Sequence, residues 1–305
     1  MMTESPMVHD CPRSAVPSLP MTQGLVTTRL TQEDQQEVLK FLSERPLHTV
    51  VMAGLIRDNG MESEFNRGNF YACRQRDRSL AGVALIGHAM FVDARSEEAL
   101  RQFAALAHEF PHTHMMLGER ELIERFWRYY APNGQLQRRF CREVLFELME
   151  PSPQFESVSA LRPATLAEQS LIVPVHAALA FEESGVNPLE VDPDGFRERC
   201  RRRIEEQRVW VLIEDSELIF KADVISDTDA VVYLEGIYVH PERRGTGYGS
   251  RCLSELAREL LSRTKSISLL VDQERRQAQN FFRKLGFVSR GFYDTIFLRT
   301  QANAT

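Results

Sequence analysis

Long apolar runs are absent from this sequence, and none approaches the roughly 20 residues that a membrane-spanning helix needs. From Met1 to Pro20 no basic segment is followed by an apolar one, so no secretory signal is predicted. Cysteines are few and include no CxxC pair; they are Cys11, Cys73, Cys141, Cys200 and Cys252. Their odd number and scattered positions argue against a disulfide framework or a zinc site, and we expect a reduced, cytoplasmic protein.

Positive charge is scarce relative to negative charge. Lys and Arg number 37 against 43 Asp and Glu, and the net charge is −6. This balance argues against nucleic acid or an anionic membrane as a partner. His112 and His114 alternate without a cysteine or carboxylate cluster beside them, so no metal site is predicted. The remaining composition, 43% apolar and 26% charged in 305 residues, is typical of a globular chain with two domains.

Proline marks two irregular parts of the chain. Residues 1–24 contain four prolines and little periodicity, which predicts a flexible tail. Pro151-Ser152-Pro153 interrupts the pattern again, so we place a linker at 151–157 between domains at 25–150 and 158–300. Each domain contains an extended run, a charged turn and a second extended run, at 70–80 and at 209–218. This weak internal repeat indicates either a duplication or a coincidence of two similar hairpins.

The most informative segment is Tyr233 to Gly249, which reads YLEGIYVHPERRGTGYG. A strand-like apolar run ends at Pro241, a glycine-rich turn follows, and a helix with one apolar face is predicted from Tyr248 to Arg263. Glycines in such a turn let backbone N–H groups approach a phosphate, and the helix directs its positive end to the same place. The spacing is neither G-x-G-x-x-G nor a nucleotide P-loop. The alternative is a strand–helix corner that simply requires glycine.

Arg244 to Gly249, preceded by Val239-His240-Pro241-Glu242, resembles the acetyl-CoA loop of the GNAT N-acetyltransferase superfamily. Ser268–Val271, Ala278–Phe287 and Gly291–Leu298 are similar to that family's next strand, helix and last strand. Phe181–Leu189 and Phe220–Asp223 resemble a bacterial two-domain GNAT subfamily whose N-terminal domain has unknown function. The resemblance implies an α/β (α+β) fold of tandem GNAT-like domains, each a mixed, mostly antiparallel central sheet flanked by helices, with a degenerate N-terminal copy.

The resemblance also implies a cosubstrate and its binding residues. The cosubstrate is acetyl-CoA, whose acyl group passes directly to an amine within one ternary complex. Backbone groups of Ile237 and Val239 are expected to pair with the pantetheine arm, and the N–H of Val239 to stabilise the oxyanion. The remaining residues implied for the cofactor are Tyr238, Arg244, Gly245, Thr246, Gly247, Tyr248, Gly249, Ser250 and Phe282.

The catalytic acid and base are predicted with alternatives. Glu235 is the only carboxylate within its apolar run, and burial would raise its pKa toward the range of a useful base. The alternative is a strand-edge carboxylate paired with an arginine. The family's acidic tyrosine falls at Phe282, which has no proton to give, so Tyr293 is predicted as a substitute; the alternative for it is a core tyrosine. Glu182 and Glu183 are predicted to bind a cationic acceptor, or else form a solvated helix end.

The first domain lacks the glycine-rich loop. At the matching place it has Asp93-Ala94-Arg95-Ser96-Glu97-Glu98-Ala99, where two carboxylates lie at a helix N-terminus and would repel a pyrophosphate. We expect this domain to complete the sheet or wall the acceptor cleft rather than bind CoA. The chain as a whole is predicted to be an N-acetyltransferase acting on a small-molecule or peptide amine, without a metal. The alternative, favoured by Phe282, is a CoA-binding sensor with weak or no turnover.

Overall fold

The computed structural model describes residues 24–151 and 155–299. The predicted tail at 1–24 therefore lies outside the described residues except for Gly24, and so does part of the predicted linker at 151–157. For the rest of the text, the first half denotes residues 25–150 and the second half residues 151–299.

The two halves contain the same succession of elements except for one additional short helix, α6, in the second, and this similarity bears out the predicted tandem architecture. The first half contains β1 (Val26–Arg29), α1 (Gln35–Leu42), α2 (Pro46–Asn59), β2 (Gly68–Arg74), β3 (Leu80–Gly87), β4 (Ala89–Ala94), α3 (Glu97–Ala107), β5 (Met115–Glu119), α4 (Arg120–Tyr130) and β6 (Gln137–Leu148). The second contains β7 (Arg162–Pro163), α5 (Gln169–Ser184), α6 (Pro188–Val191), α7 (Pro193–Glu205), β8 (Val209–Glu214), β9 (Glu217–Asp227), β10 (Val231–Val239), α8 (Tyr248–Leu261), β11 (Ser266–Asp272), α9 (Arg276–Lys284) and β12 (Val288–Leu298).

Matching local signals begin the helical segment of each half. Thr31 and Asp34 form a capping box before α1, and Thr165 and Glu168 form another before α5. In both boxes a hydroxyl and a carboxylate satisfy backbone N–H groups that the first helical turn leaves unpaired. A capping box thus fixes the start of the helical segment at the equivalent position of each half.

All strands join one 12-stranded sheet in the order β1-β2-β3-β4-β5-β12-β6-β11-β10-β9-β8-β7. Only the pairs β4/β5 and β10/β11 are parallel, so the sheet is mostly antiparallel, as predicted. Helices α8 and α9 cover one face of the second half's strands, while α3 and α4 do the same in the first half. Helix α2 packs on the opposite face and crosses between the halves, since Val50 contacts Val231 and Tyr233 on β10.

The two halves exchange their last strands. β6 closes the first half in sequence but pairs with β11 of the second half. β12 closes the second half but pairs with β5 of the first half, and β6 and β12 pair with each other from Val288–Glu147 to Leu298–Gln137. The predicted boundary between residues 150 and 158 divides the chain in sequence, but strands from both sides of it belong to one continuous sheet. The division into two domains remains a prediction.

Candidate functional site

The two parallel strands of the second half separate and leave an opening between them. β10 pairs with β11 only from Val231 to Leu234, and beyond that point β10 has no partner on this side. Its other edge is bulged against β9 between Glu235 and Tyr238. The opening forms part of a cavity of about 1560 Å³ lined by α5, β6, β10, β11 and α9. A groove of this size can hold both a long cofactor arm and an acceptor.

A buried ion pair holds the bulge in β10. Gly236 has a φ of 60°, a left-handed conformation that favours glycine, and a Cβ there would lie 2.5 Å from Asp223 Oδ2. The Lys221 ammonium donates to Asp223 Oδ2 at 2.6 Å and to the Gly236 carbonyl at 3.2 Å. Burial opposes ionisation of Asp223, but the nearby Lys221 and His176 keep its pKa below the ordinary value. The pair therefore anchors the bulge from beneath.

The glycine-rich loop forms one end of the cavity. Gly245 and Gly247 have φ values of 75° and 91°, and Gly247 caps α8 without any side-chain hydrogen bond. The first N–H groups of α8 therefore remain available to an anion, with no acidic residue in the first turn to repel it. A Cβ at Gly249 would approach Val239 Cγ2 to 2.9 Å, so close packing of helix on strand also requires glycine.

The predicted cofactor residues divide into two groups. Thr246 and Tyr248 do not line the cavity with their side chains. Thr246 Oγ1 donates to the Arg243 carbonyl at 2.6 Å, and the Tyr248 hydroxyl contacts the Glu214 carboxylate at 3.1 Å. The others do line it: Ile237, Tyr238, Val239, Arg244, Gly245, Gly247, Gly249, Ser250 and Phe282.

Three carboxylates from three elements meet in the cavity. Glu235 comes from β10 and Glu183 from the end of α5, as the sequence pattern suggests. Glu143 comes from β6 of the first half, and Thr295 Oγ1 on β12 donates to its Oε2 at 2.6 Å. No local motif points to Glu143, because only the strand exchange brings it to the second half. Its place on an alternating strand, between Cys141 and Leu145, is the sole signal that could have suggested an inward-facing side chain.

Burial is the main cause that raises the pKa of each of the three carboxylates. Burial raises the pKa of Glu143 to about 7, and the Glu235 charge adds to the shift. Burial also raises the pKa of Glu183, with further contributions from Glu235 and Glu143. Burial raises the pKa of Glu235, as expected from the sequence, although Arg203 acts in the opposite direction. Since Glu183 and Glu235 are exposed within the open cavity, water limits the size of these shifts.

Glu182 has a different environment from its neighbour Glu183. Its Oε2 accepts a hydrogen bond from Arg275 at 3.0 Å, which joins the end of α5 to the segment between β11 and α9. Both side chains are about half exposed, at 54% and 56%. This ion pair crosses the cavity rim, and we expect it to contribute little to stability.

Tyr293, predicted as the substitute acid, lies apart from the other predicted site residues. Its side chain does not line the large cavity but lies beneath α2, where its hydroxyl contacts His48 Nδ1 at 2.8 Å. Tyr293 is 6% exposed, and burial raises its pKa above the ordinary value. The reason is again the strand exchange, because β12 carries Tyr293 to the first half's side of the sheet. The core alternative weighed for this residue fits its surroundings.

The equivalent site of the first half is closed. β4 and β5 also pair only at their beginnings, through Ala89 and Met90, but the Arg45 guanidinium enters the gap and binds Asp93 and Glu119. The space that remains is about 40 Å³. Ser96 Oγ accepts a hydrogen bond from the Ala99 N–H at 3.2 Å, so a side chain occupies the α3 N-terminus. The space left in the gap is therefore small, and the Ser96 cap with the Glu97 and Glu98 carboxylates in the first turn of α3 disfavours an anion there.

Within residues 24–151 and 155–299, no three His, Cys, Asp or Glu side chains are grouped so that they could hold a metal ion. Within the same ranges, every helix is too short or too polar to cross a membrane.

Residues 205–289 match the family model of the acetyltransferase (GNAT) domain. An acetyltransferase of the GNAT family from Colwellia psychrerythraea is similar in structure, with 11% identity, a TM-score of 0.56, and coverage of 90% of this chain and 99% of that one. A Drosophila protein shares 12% identity with a TM-score of 0.62 over 91% and 99% of the two chains. A tandem GNAT protein from the clavulanic acid biosynthesis pathway shares 14% identity with a TM-score of 0.54 over 92% and 99%.

No curated protein matches this sequence. Because the structural neighbours have low identities, they establish the fold, while the family model covers residues 205–289. Residues 205–289 therefore match a GNAT acetyltransferase domain, and the chain shares its fold with GNAT proteins, among them a tandem one.

Proposed function

We propose that the protein transfers an acetyl group from acetyl-CoA to a primary amine of a small-molecule or peptide acceptor. One observation carries the proposal: the uncapped, glycine-rich N-terminus of α8 and the Glu235 carboxylate line the same cavity, which includes the opening between β10 and β11. An anion-binding end and a base in one groove are what acyl transfer from a CoA thioester requires.

The CoA end of the site consists mostly of backbone groups. The N–H groups at Gly245, Thr246, Gly247, Tyr248, Gly249 and Ser250 are proposed to hold the pyrophosphate, with Arg244 as a fixed cation. Beyond Leu234, β10 no longer pairs with β11. Its free edge at Ile237, Tyr238 and Val239 is proposed to pair with the pantetheine arm instead. Phe282, 7% exposed at the cavity wall, would pack against the arm near its sulfur.

The proposed chemistry needs one proton acceptor and one oxyanion stabiliser. Glu235 takes the proton of the acceptor ammonium, and the free amine attacks the thioester carbonyl. The Val239 N–H stabilises the oxyanion, after which the new C–N bond remains, the C–S bond breaks and the attacking nitrogen releases its second proton to water. With Phe282 in the wall and Tyr293 elsewhere, the CoA thiolate leaves unprotonated and takes that proton from water. A thiol pKa of about 8.5 makes that leaving group acceptable.

A CoA-binding sensor remains the second candidate. Its supporting observation is the same pair of positions, since neither Phe282 nor Tyr293 offers a proton in the cavity. Release of free thiol from acetyl-CoA in the presence of an amine panel separates the two functions. The enzyme releases thiol only when an acceptor is present, whereas the sensor binds acetyl-CoA and releases none.

A substitution in the loop tests the cofactor assignment. In Gly247→Trp the indole fills the space in front of the α8 N–H groups, so calorimetry is expected to show loss of acetyl-CoA binding. Gly134→Trp is a matched control, because Gly134 also has a left-handed φ, 92°, and open space around it. Equal acetyl-CoA affinity in both variants would show that the loop does not bind the cofactor.

A substitution at Glu235 tests the base. Glu235→Gln is expected to lower kcat by about 10²–10⁴-fold, because the amide cannot accept the ammonium proton. Acetyl-CoA affinity should stay unchanged, and Glu217→Gln at the exposed start of β9 serves as the control. Wild-type turnover and an unchanged pH profile in Glu235→Gln would remove Glu235 from the mechanism.

A further inference from the structure

The carboxylates of Glu143, Glu183 and Glu235 lack a cationic partner. Within the described parts of the chain no Lys, Arg or His nitrogen lies within 4.0 Å of any of them, although Glu182 beside them is paired with Arg275. Three acidic side chains of one cavity are thus left without ion pairs in a protein that pairs many of its surface charges. The negative charges of these carboxylates repel one another, and a cation that enters the cavity would reduce this repulsion.

The arginines of the cavity do not cancel this charge. Arg203 donates to His176 Nε2 at 3.1 Å. Arg139 lies beside the turn at Gly185, and its Nη1 is 3.5 Å from the position that a Cβ on Gly185 would occupy. Arg139 and Arg275 oppose the shift of Glu183, and Arg203 and Lys221 oppose that of Glu235, yet the pKa of both carboxyls is still raised. Burial and the neighbouring carboxylates therefore outweigh these cations.

A second buried group of the same cavity also lacks a partner. Asp223 lines the cavity below the β10 bulge with a side chain 1% exposed, and its Oδ1 accepts no hydrogen bond from the described residues. Its other oxygen is held by Lys221. A buried carboxylate oxygen without a donor indicates a missing donor, such as water or an ammonium group of a ligand.

One ammonium would not satisfy the three glutamates. Once Glu235 removes its proton, a monoamine becomes neutral, and Glu143 and Glu183 remain without a counter-charge. Building on the proposed acetyl transfer, we propose that the acceptor is a diamine or polyamine whose second ammonium is held by Glu143 and Glu183 while Glu235 deprotonates the amine that reacts. The first half thereby contributes to the acceptor site, because the exchanged strand β6 carries Glu143.

The bonds and protons of the proposed transfer balance as follows in this arrangement. The reacting nitrogen forms a bond to the acetyl carbon, the C–S bond breaks, and CoA leaves as the thiolate. One proton of the reacting ammonium passes to Glu235 before the attack, and a second passes through water to the CoA thiolate as the amide forms. The second ammonium keeps its proton throughout, so it binds the glutamates equally before and after the reaction and acts by positioning the substrate.

Thiol release from acetyl-CoA with putrescine and with butylamine tests the proposal, because the two probes differ by one ammonium. We expect kcat/KM for the diamine to exceed that for the monoamine by about tenfold or more, the effect of a charge-assisted hydrogen bond. Glu143→Gln and Glu183→Gln should each reduce this ratio about tenfold. Glu147→Gln, on the same strand but paired with Arg290 outside the cavity, should leave it unchanged.

Binding measurements separate failure of this proposal from failure of the proposed function. Calorimetry with putrescine and the complex of protein and CoA needs no turnover, and binding weakened by Glu143→Gln supports the diamine site even in a sensor. Equal kcat/KM for the two probes, or equal losses for both in Glu143→Gln, would overturn the diamine proposal while leaving acetyl transfer intact. Thiol release by no amine, with putrescine binding also absent, would overturn both.

Discussion

At the scale of single residues, Glu143 shows how position in the sheet decides chemistry. Its carboxylate lies on a first-half strand, accepts a hydrogen bond from Thr295 and lines the cavity of the second half. Burial raises its pKa to about 7. Tyr293 is the reverse case, since it belongs to the second half in sequence but lies against His48 of the first. The strand exchange thus places Glu143 in the cavity of the second half and Tyr293 outside it.

The raised pKa of Glu143 predicts a pH-dependent stability. The unfolded carboxyl ionises near pH 4.5 and the folded one near pH 7, so the folded state holds more protons between these values. The contribution is fully present below pH 4.5 and is lost as the pH rises through about 7. Relative to the wild type, Glu143→Gln should therefore gain stability across this window, by about 1 kcal/mol because water in the cavity reduces the full effect.

Urea unfolding of wild type and Glu143→Gln below pH 4.5 and above pH 7 measures this difference. Glu147→Gln provides the control for loss of a carboxylate on the same strand. A stability difference between Glu143→Gln and wild type that does not change with pH would contradict the shift.

At the scale of elements, α3 and α8 occupy equivalent positions in the two halves, but their N-termini differ in capping and charge. Both follow the fourth strand of their half and lead to the parallel strand. α3 has the Ser96 cap and Glu97 and Glu98 in its first turn, whereas α8 has Gly247 and no acidic residue there. The first arrangement stabilises the helix by itself, and the second leaves N–H groups for an anion. The same fold position therefore serves stability in one half and binding in the other.

Removal of the α3 cap tests this division. Ser96→Ala is expected to lower the free energy of unfolding by about 1 kcal/mol, since the Ala99 N–H loses its acceptor. Acetyl-CoA affinity, measured by calorimetry, should not change. Ser262→Ala, which removes an exposed hydroxyl at the end of α8, is the control and should cost less than about 0.5 kcal/mol. Weakened acetyl-CoA binding in Ser96→Ala would mean that the first half takes part in cofactor binding.

At the scale of the whole molecule, the halves depend on one another. β6 supplies the strand between β11 and β12, and α2 covers Val231 and Tyr233 on β10. A second half without these elements would expose two strand edges and an apolar surface. Unpaired edges and apolar patches favour aggregation.

Truncation tests this dependence. A chain that begins at residue 151 is expected to lack a cooperative thermal transition by circular dichroism and to bind acetyl-CoA weakly or not at all. Coexpression of residues 1–150 with residues 151–305 should restore both properties, because the exchanged strands can still pair. An isolated second half that melts cooperatively and binds acetyl-CoA with wild-type affinity would show that β6 is dispensable.

The local features of this protein follow from its sequence alone. The glycine-rich turn before α8 and the apolar face of that helix involve residues a few positions apart, whose backbone preferences and spacing act directly on one another. The same holds for Glu235 on the strand that leads to the turn, and for the similar order of elements in the two halves. These features, with the family resemblance that they carry, were enough to indicate the fold, the loop, and the carboxylates of Glu182, Glu183 and Glu235 that line the cavity.

Only the tertiary structure decided which strands are neighbours. Backbone hydrogen bonds are the same for any pair of strands, so nothing within β6 or β12 states that each lies in the other half's section of the sheet. Their places depend on side-chain packing between segments far apart in sequence. For that reason the sequence alone does not show that Glu143 lines the cavity, that Tyr293 lies outside it, or that Arg45 fills the equivalent gap of the first half.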